Sequence, residues 1–163
     1  MKRRLKQAAI VIVVVFAAAQ LIRPDRANPA TDASHSIQAH VGTTSELIPV
    51  LNRACGDCHS NETVWPWYTQ VAPTSWLMAY AVSEGRKAVN FSEWAAYSPA
   101  QQQMLLTESC RDASSGKMPS GIYTALRPEA KLSTRDVETI CAASRETKAT
   151  AAESPDDNSS SAR

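Results

Sequence analysis

The chain has 163 residues, with 17 basic and 16 acidic side chains, four Cys and a formal net charge of +1. Six of the basic residues and one acidic residue lie within residues 1–30, which leaves 11 basic and 15 acidic residues, a net charge near −4, for the rest. An acidic domain repels a polyanion, so we expect no nucleic acid partner.

The N-terminal segment is basic and then apolar. Four basic residues at positions 2–6 precede an apolar stretch over residues 7–22, which is typical of a signal peptide or a short membrane anchor. At 1.5 Å per residue those 16 residues reach about 24 Å, somewhat less than a hydrocarbon core of about 30 Å. Arg23 and Arg26 follow at once, so we expect an uncleaved membrane helix, with signal cleavage as the alternative.

Composition divides the chain into four segments. Residues 1–30 form the signal or anchor segment, and residues 31–44, which carry few large apolar side chains, are predicted to be a linker. A folded domain is predicted over residues 45–144. About 100 residues give only a marginal core, so a buried cofactor would supply apolar area. The polar residues 145–163 have little to bury and are predicted to be disordered.

The first two helices of the domain flank a loop that follows the cysteine motif described below. Leu47, Ile48, Leu51 and Ala54 lie at helical spacing behind a Ser45 cap, so a short helix leads into Cys55. A second helix is predicted from Pro73 to about Glu84-Gly85-Arg86, where Gly85 can adopt the left-handed cap conformation.

The other two helices have clear start signals. Ser98 as N-cap with Pro99 at the first helical position begins the third, which ends at Ser114-Ser115-Gly116. Ser133 caps the fourth, and Asp136 lies three residues later near the positive helix end. No strand pattern competes, so the sequence predicts an all-α domain of about four helices.

Cys55-Gly56-Asp57-Cys58-His59 is a C-x-x-C-H run. At this spacing two thiols add across the vinyl groups of haem, and the adjacent imidazole becomes an axial iron ligand. Two alternatives use the same cysteines. A structural zinc site usually has four Cys or His ligands, and the chain has no second C-x-x-C or paired-His element. A thioredoxin-like dithiol needs a βαβ context. We therefore predict one covalent haem c, held in a small cytochrome c-like, haem-binding domain of about four helices over residues 45–144.

A haem of this type has a second axial ligand or an open site. Met78 and Met104 lie on predicted amphipathic helices, where Met usually fills the core. Met118 lies in the interhelical loop Gly116-Lys117-Met118-Pro119, where Pro119 favours an extended backbone. Thioether ligation is the arrangement of electron carriers, so His59 and Met118 are the predicted iron ligands.

Aromatic residues follow the motif closely. Trp65, Trp67 and Tyr68 are predicted to form a wall along the haem edge and exclude water. Alternatively, one of these aromatic residues could donate a hydrogen bond to a haem propionate, together with Arg86, whose guanidinium pairs well with a carboxylate. A solvated position at the helix end would equally explain Arg86.

These residues together resemble the bacterial haem-binding domain family related to cytochrome c, over roughly residues 45–142. The resemblance rests on the following residues: Cys55 to His59, Ser60-Asn61, Trp65-Pro66-Trp67-Tyr68, Ala72-Pro73, Ser75-Trp76, Glu84-Gly85-Arg86, Asn90-Phe91-Ser92-Glu93-Trp94, Met118-Pro119, Tyr123, Ala130-Lys131-Leu132-Ser133 and, before the domain, Gln20, Ile22-Arg23-Pro24 and Asn28-Pro29. The resemblance implies a single-haem, all-α, exported protein. We accordingly expect the domain on the periplasmic side of the bacterial inner membrane, anchored through residues 7–22, or free in the periplasm after cleavage.

The chain departs from the family pattern at two positions. Arg127 lies near a position where the family usually has His, which strengthens the prediction of Met118 as the distal ligand. Cys141 lies where the family tends to have Trp, and Cys110 is also outside the haem motif. Two spare cysteines in an exported protein suggest a Cys110–Cys141 disulfide, with two buried thiols as the alternative.

Two function classes remain. The first is an electron-transfer module that passes one electron to or from a redox partner protein with a basic face. The second is a peroxidase-like haem enzyme or a sensor with an open distal site, which needs a polar acid/base group over the iron. His35 and His40, the only other histidines, lie in the predicted linker. We therefore favour electron transfer.

Overall fold

The structure is a computed structural model that describes residues 1–41 and 46–153, with the backbone alone for residues 149–153. Within these residues it contains eight α-helices and short 3₁₀ turns, and no β-strand. The helices are α1 (Lys2–Ala19), α2 (Ile37–His40), α3 (Leu47–Ala54), α4 (Gly56–His59), α5 (Thr74–Ala88), α6 (Pro99–Ser114), α7 (Gly121–Leu126) and α8 (Thr134–Glu153). The prediction of an all-α fold is confirmed.

Capping residues set the ends of the two long helices of the domain. Ser98 accepts a hydrogen bond from the Gln101 backbone N–H, and the Gln101 side chain accepts one from the Ser98 N–H, so α6 begins with a capping box. At α8, Asp136 Oδ2 accepts from the Ser133 N–H at 2.8 Å. Both helix starts were predicted. The predicted Ser45 cap of α3 lies outside the described residues.

The last helix extends past the predicted end of the domain. The sequence places the end of the ordered domain at residue 144, whereas α8 continues to Glu153. Residues 145–153 include Arg, Glu, Lys and three Ala, which are strong helix formers and need no buried face to extend an existing helix. The remainder of the predicted disordered tail, residues 154–163, lies outside the described residues.

The core lies between α3, α6 and α8 and the 3₁₀ segment Phe91–Ala96. Its most buried large side chains are Leu47, Leu51, Trp94, Leu106 and Ile140, each at most 2% exposed. Ile37 of α2 joins the same cluster at 3% exposure. Part of the segment predicted as a linker, residues 31–44, therefore contributes to the core.

The N-terminal helix contacts the domain at its C-terminal end. The Gln20 side chain accepts a hydrogen bond from the Ala72 N–H at 2.9 Å, and Trp76 Nε1 donates to the Ile22 carbonyl at 2.8 Å. Among the residues that the structure describes, no helix is long and apolar enough to cross a membrane, so the predicted N-terminal membrane helix is not supported.

Cys110 on α6 and Cys141 on α8 lie at disulfide distance, with Cα atoms 4.7 Å apart. α6 packs along α8, so the two helices bring the cysteines face to face. This is the pairing that the sequence suggested. A bond here closes a loop over a sequence separation of 31 residues and links the two longest helices of the domain.

Replacing Cys110 and Cys141 together by serine should lower the free energy of unfolding by about 3–4 kcal/mol, because the unfolded chain loses the constraint of a loop of about 30 residues. Urea unfolding compared with the unreduced wild type measures this difference. In the wild type neither Cys110 nor Cys141 should be alkylated until reductant and denaturant are added. Alkylation of both in the folded, unreduced protein would contradict the disulfide.

Candidate functional site

The cysteine motif forms a single helical turn. The Cys58 and His59 backbone N–H groups both donate to the Cys55 carbonyl, at 3.1 and 2.9 Å, at the start of α4. Residues four apart lie on the same face of a helix, and Cys55 and His59 line one cavity, whereas the Cys58 Cβ atom lies against Gly85 of α5. The structure therefore brings Cys55, Cys58 and His59 together.

Both motif thiols are held in the protonated form. Burial raises the pKa of Cys55 to about 12 and that of Cys58 to about 11. A redox dithiol needs an accessible thiolate, which a low pKa provides, so these raised pKa values do not favour that alternative. Among the described residues there is also no cluster of three or more His, Cys, Asp or Glu side chains placed to hold a metal ion. The geometry thus gives no support to the dithiol and zinc alternatives.

A backbone hydrogen bond orients His59. Its Nδ1–H donates to the Val89 carbonyl at 3.2 Å, which leaves Nε2 with a free lone pair. Burial lowers the pKa of His59, although hydrogen bonding to the Val89 and Gly85 backbone opposes the shift. A neutral imidazole fixed in this way is a preorganised metal ligand.

Gly85 allows α5 to pack directly on α4. A Cβ atom at Gly85 would lie 2.9 Å from the Cys58 carbonyl carbon and 3.0 Å from Cys58 Cβ, closer than real contacts allow. The prediction that Gly85 is a left-handed helix cap is wrong, because α5 continues through it to Ala88. The glycine is instead required by the close approach of the two helices.

Replacing Gly85 by alanine should destabilise the domain by about 1–3 kcal/mol, because the added methyl group meets backbone that can move only if α4 and α5 separate. Gly121→Ala is the matched control, since a Cβ atom there has no neighbour within 4 Å. Urea unfolding of both variants makes the comparison. Equal midpoints for Gly85→Ala and Gly121→Ala would contradict the proposed contact.

A cavity of about 200 Å³ lies beside the motif. It is lined by Cys55, His59 and Met118, together with apolar and polar residues. The apolar part of the lining is Leu51, Ala88, Val89, Phe91, Leu105, Ala113, Leu132 and Ile140, and the polar part is Glu108, Ser109, Asp112 and Lys117. The structure therefore places both predicted iron ligands on one mainly apolar cavity.

Met118 is the methionine of the domain that lines this cavity. Its backbone N–H donates to the Asp112 carbonyl at 3.1 Å, and its side chain is 42% exposed. Met104 is 53% exposed on α6 and Met78 is half-buried on α5, and neither lines the cavity. The expectation that Met104 fills the core is wrong, because it lies on the solvent side of α6.

The structure places the predicted aromatic and arginine residues outside the cavity lining. Trp67 is 79% exposed, and Trp65 Nε1 donates to Asn28 Oδ1 at 3.4 Å. Arg86 donates from Nε to the Ser60 carbonyl at 2.7 Å and from Nη2 to Thr63 Oγ1 at 2.9 Å. These contacts hold the segment after the motif in place, and the predicted haem-edge and propionate roles stay predictions.

The sequence analysis did not identify the buried carboxylate of Asp57 as part of the site. Asp57, between the two motif cysteines, is 7% exposed, and its Oδ1 accepts from the Val64 N–H at 3.0 Å. Its Oδ2 accepts from the Tyr123 hydroxyl at 2.7 Å and lies 3.3 Å from Arg127 Nη1. Burial and the Asp57 carboxylate together raise the pKa of Tyr123, which keeps the hydroxyl protonated. The residues are too far apart in sequence for spacing to reveal this contact.

Comparison with protein families gives a match. The model of a family described as a haem-binding domain matches residues 14–146, which includes the motif turn, the cavity and Met118. No curated protein and no solved structure matches the chain.

Proposed function

The chain belongs to the haem-binding domain family, and we propose that it binds one haem covalently, as a c-type haem, and uses it for one-electron transfer. Cys55 and Cys58 would supply the two thioether bonds, and His59 and Met118 the two axial ligands. The observation that carries this proposal is the single cavity lined by Cys55, His59 and Met118.

The residues present fit a haem. His59 offers a neutral Nε2 whose orientation is fixed from the Val89 carbonyl, and Met118 offers a soft thioether on the same cavity. The rest of the lining is mainly apolar, as a porphyrin requires. The cavity is smaller than a porphyrin needs, so the partly exposed Met118 side chain would have to turn outwards on binding.

Each group of the chain has a defined task in this proposal. The Cys55 and Cys58 thiols, presented on one turn, fix the cofactor to α4. The Val89 carbonyl holds the His59 ring in one tautomer, and the apolar lining keeps water away. The bound haem iron supplies the chemistry, a reversible one-electron change whose potential depends on the axial ligands and on burial.

A reduced-minus-oxidised optical spectrum of the full chain, exported together with haem-maturation machinery, tests the proposal. A low-spin spectrum of c-type haem, with the weak far-red charge-transfer band of a thioether ligand in the oxidised form, is the expected result. A high-spin, five-coordinate iron would contradict Met118 ligation and favour the haem enzyme or sensor. Absence of haem would refute the whole proposal.

We also propose that the domain lies on the periplasmic side of the inner membrane, with α1 in contact with lipid. Every large apolar side chain from Ile10 to Phe16 is more than half exposed, and basic residues precede them. Contacts such as that between Gln20 and Ala72 attach the end of α1 to the domain. An exposed apolar helix face of this kind is expected to be covered, here by the lipid of the membrane.

Cell fractionation tests this location. The full chain should remain with the membrane pellet after an alkaline carbonate wash, whereas a variant with residues 1–22 replaced by a cleavable signal peptide should be recovered in the periplasmic extract. An N-terminus beginning after residue 19 in the natural chain, found by intact mass, would establish cleavage instead of anchoring.

The redox partner is proposed to present a basic face, because the chain beyond residue 30 has a net charge near −4. Reduction of the haem by a basic donor protein should slow as ionic strength rises. A rate that increases with salt would show that the reactive face of the domain repels a basic protein, which would contradict the proposal.

A further inference from the structure

We propose that Tyr123 is a positioning residue that holds the Met118 loop against the motif turn through its hydrogen bond to Asp57. The proposal rests on the proposed role of Met118 as an iron ligand. It adds a residue that is not part of the cavity lining and that acts through the loop preceding α7.

The Met118 loop joins α6 to α7 and is fixed at both ends. On the α6 side, Asp112 accepts from the Met118 N–H and pairs with Lys117 Nζ at 3.1 Å. On the α7 side, Ser120 caps the helix by accepting from the Tyr123 N–H at 3.4 Å. The position of the loop therefore depends on the position of α7.

α7 has little apolar packing to hold it. It is six residues long and contains no buried residue, and Ile122 and Leu126 are 79% and 45% exposed. A helix so short is not stable by itself in water. Polar contacts must therefore fix it, and the strongest candidate is the Tyr123 hydroxyl, which donates to Asp57 at 2.7 Å.

The acceptor of this bond lies on the turn that carries the other axial ligand. Asp57 comes two residues before His59 on α4 and is held by the Val64 N–H and by Arg127, which lies 3.3 Å away. A hydroxyl bound to a buried carboxylate makes a charge-assisted bond, stronger than a neutral one. Together with the Arg127–Asp57 ion pair at the end of α7, this hydrogen bond links the side of the site with His59 to the side with Met118.

Tyr123→Phe tests the proposal, because it removes one hydroxyl and retains the ring. Added imidazole competes with a methionine ligand for iron, so a loosened loop should let imidazole bind more tightly. Loss of a charge-assisted hydrogen bond should raise the apparent affinity of imidazole for the iron by about tenfold. The far-red thioether band of the oxidised holoprotein should therefore disappear at about one tenth of the imidazole concentration that the wild type needs.

Tyr80→Phe is the matched control, since Tyr80 is 68% exposed on α5, and it should titrate like the wild type. Urea unfolding of the same holoproteins shows whether a stability loss accompanies the change. If Tyr123→Phe lowers stability but titrates within twofold of the wild type, the residue is only structural and the proposal is overturned. If the wild type lacks the thioether band altogether, the proposed Met118 ligation fails, and this inference fails with it.

Discussion

Replacing both Cys55 and Cys58 by alanine should abolish covalent haem attachment completely. Thioether bonds survive denaturing electrophoresis and acid-acetone extraction, so the wild-type polypeptide should keep its haem and stain for haem-dependent peroxidase activity. The double variant has no thiol on the α4 turn, and its haem, held by His59 and Met118 alone, should separate from the polypeptide in the gel. We expect this to be the largest effect of any substitution in the chain.

The other cysteine pair provides the control. A variant with Cys110 and Cys141 both replaced by serine retains the motif turn and should keep the stain, although it unfolds more easily. Persistence of the stain in the Cys55→Ala, Cys58→Ala variant would show that these thiols do not carry the haem.

Met118→Ala should abolish the far-red charge-transfer band and lower the reduction potential. A thioether favours Fe(II), whereas the water or harder ligand that replaces it favours Fe(III). If the thioether prefers the reduced iron by about two powers of ten, its loss shifts the potential by about 120 mV, at 59 mV per tenfold. Protein-film voltammetry measures the potential, and an optical spectrum measures the band.

The other two methionines of the domain are the controls. Met104 is 53% exposed, so Met104→Ala should leave both the band and the potential unchanged and cost little stability. Met78 is half-buried on α5, and its truncation should affect stability alone. Loss of the band with Met78→Ala or Met104→Ala, and its survival in Met118→Ala, would reverse the ligand assignment.

Local chemistry made much of this fold predictable. Ser98 and Pro99 begin α6 because a capping hydroxyl and a proline suit a helix start wherever they occur. The haem motif could be predicted from the sequence because its two thiols and its imidazole lie on neighbouring residues at a characteristic spacing. Met118 was predicted from its loop position, and the structure places it on the same cavity as His59.

Contacts between distant segments were not predictable in this way. Gly85 is needed because α5 touches the Cys58 backbone, and the sequence alone suggested only a helix end. Asp57 and Tyr123 are 66 residues apart, and a tyrosine on a short helix carries no signal of its acceptor. The sequence suggested that Arg86 could pair with a propionate, but its guanidinium already donates to the Ser60 carbonyl and to the Thr63 hydroxyl near the motif.

The most direct test of the central claim is the intact mass of the exported wild-type protein under denaturing conditions. We predict the mass of the polypeptide plus one haem, and a pyridine haemochrome spectrum of the same sample in which both vinyl groups are saturated. A polypeptide of unmodified mass, with its haem recovered in the organic phase after acid-acetone extraction, would contradict covalent attachment through Cys55 and Cys58.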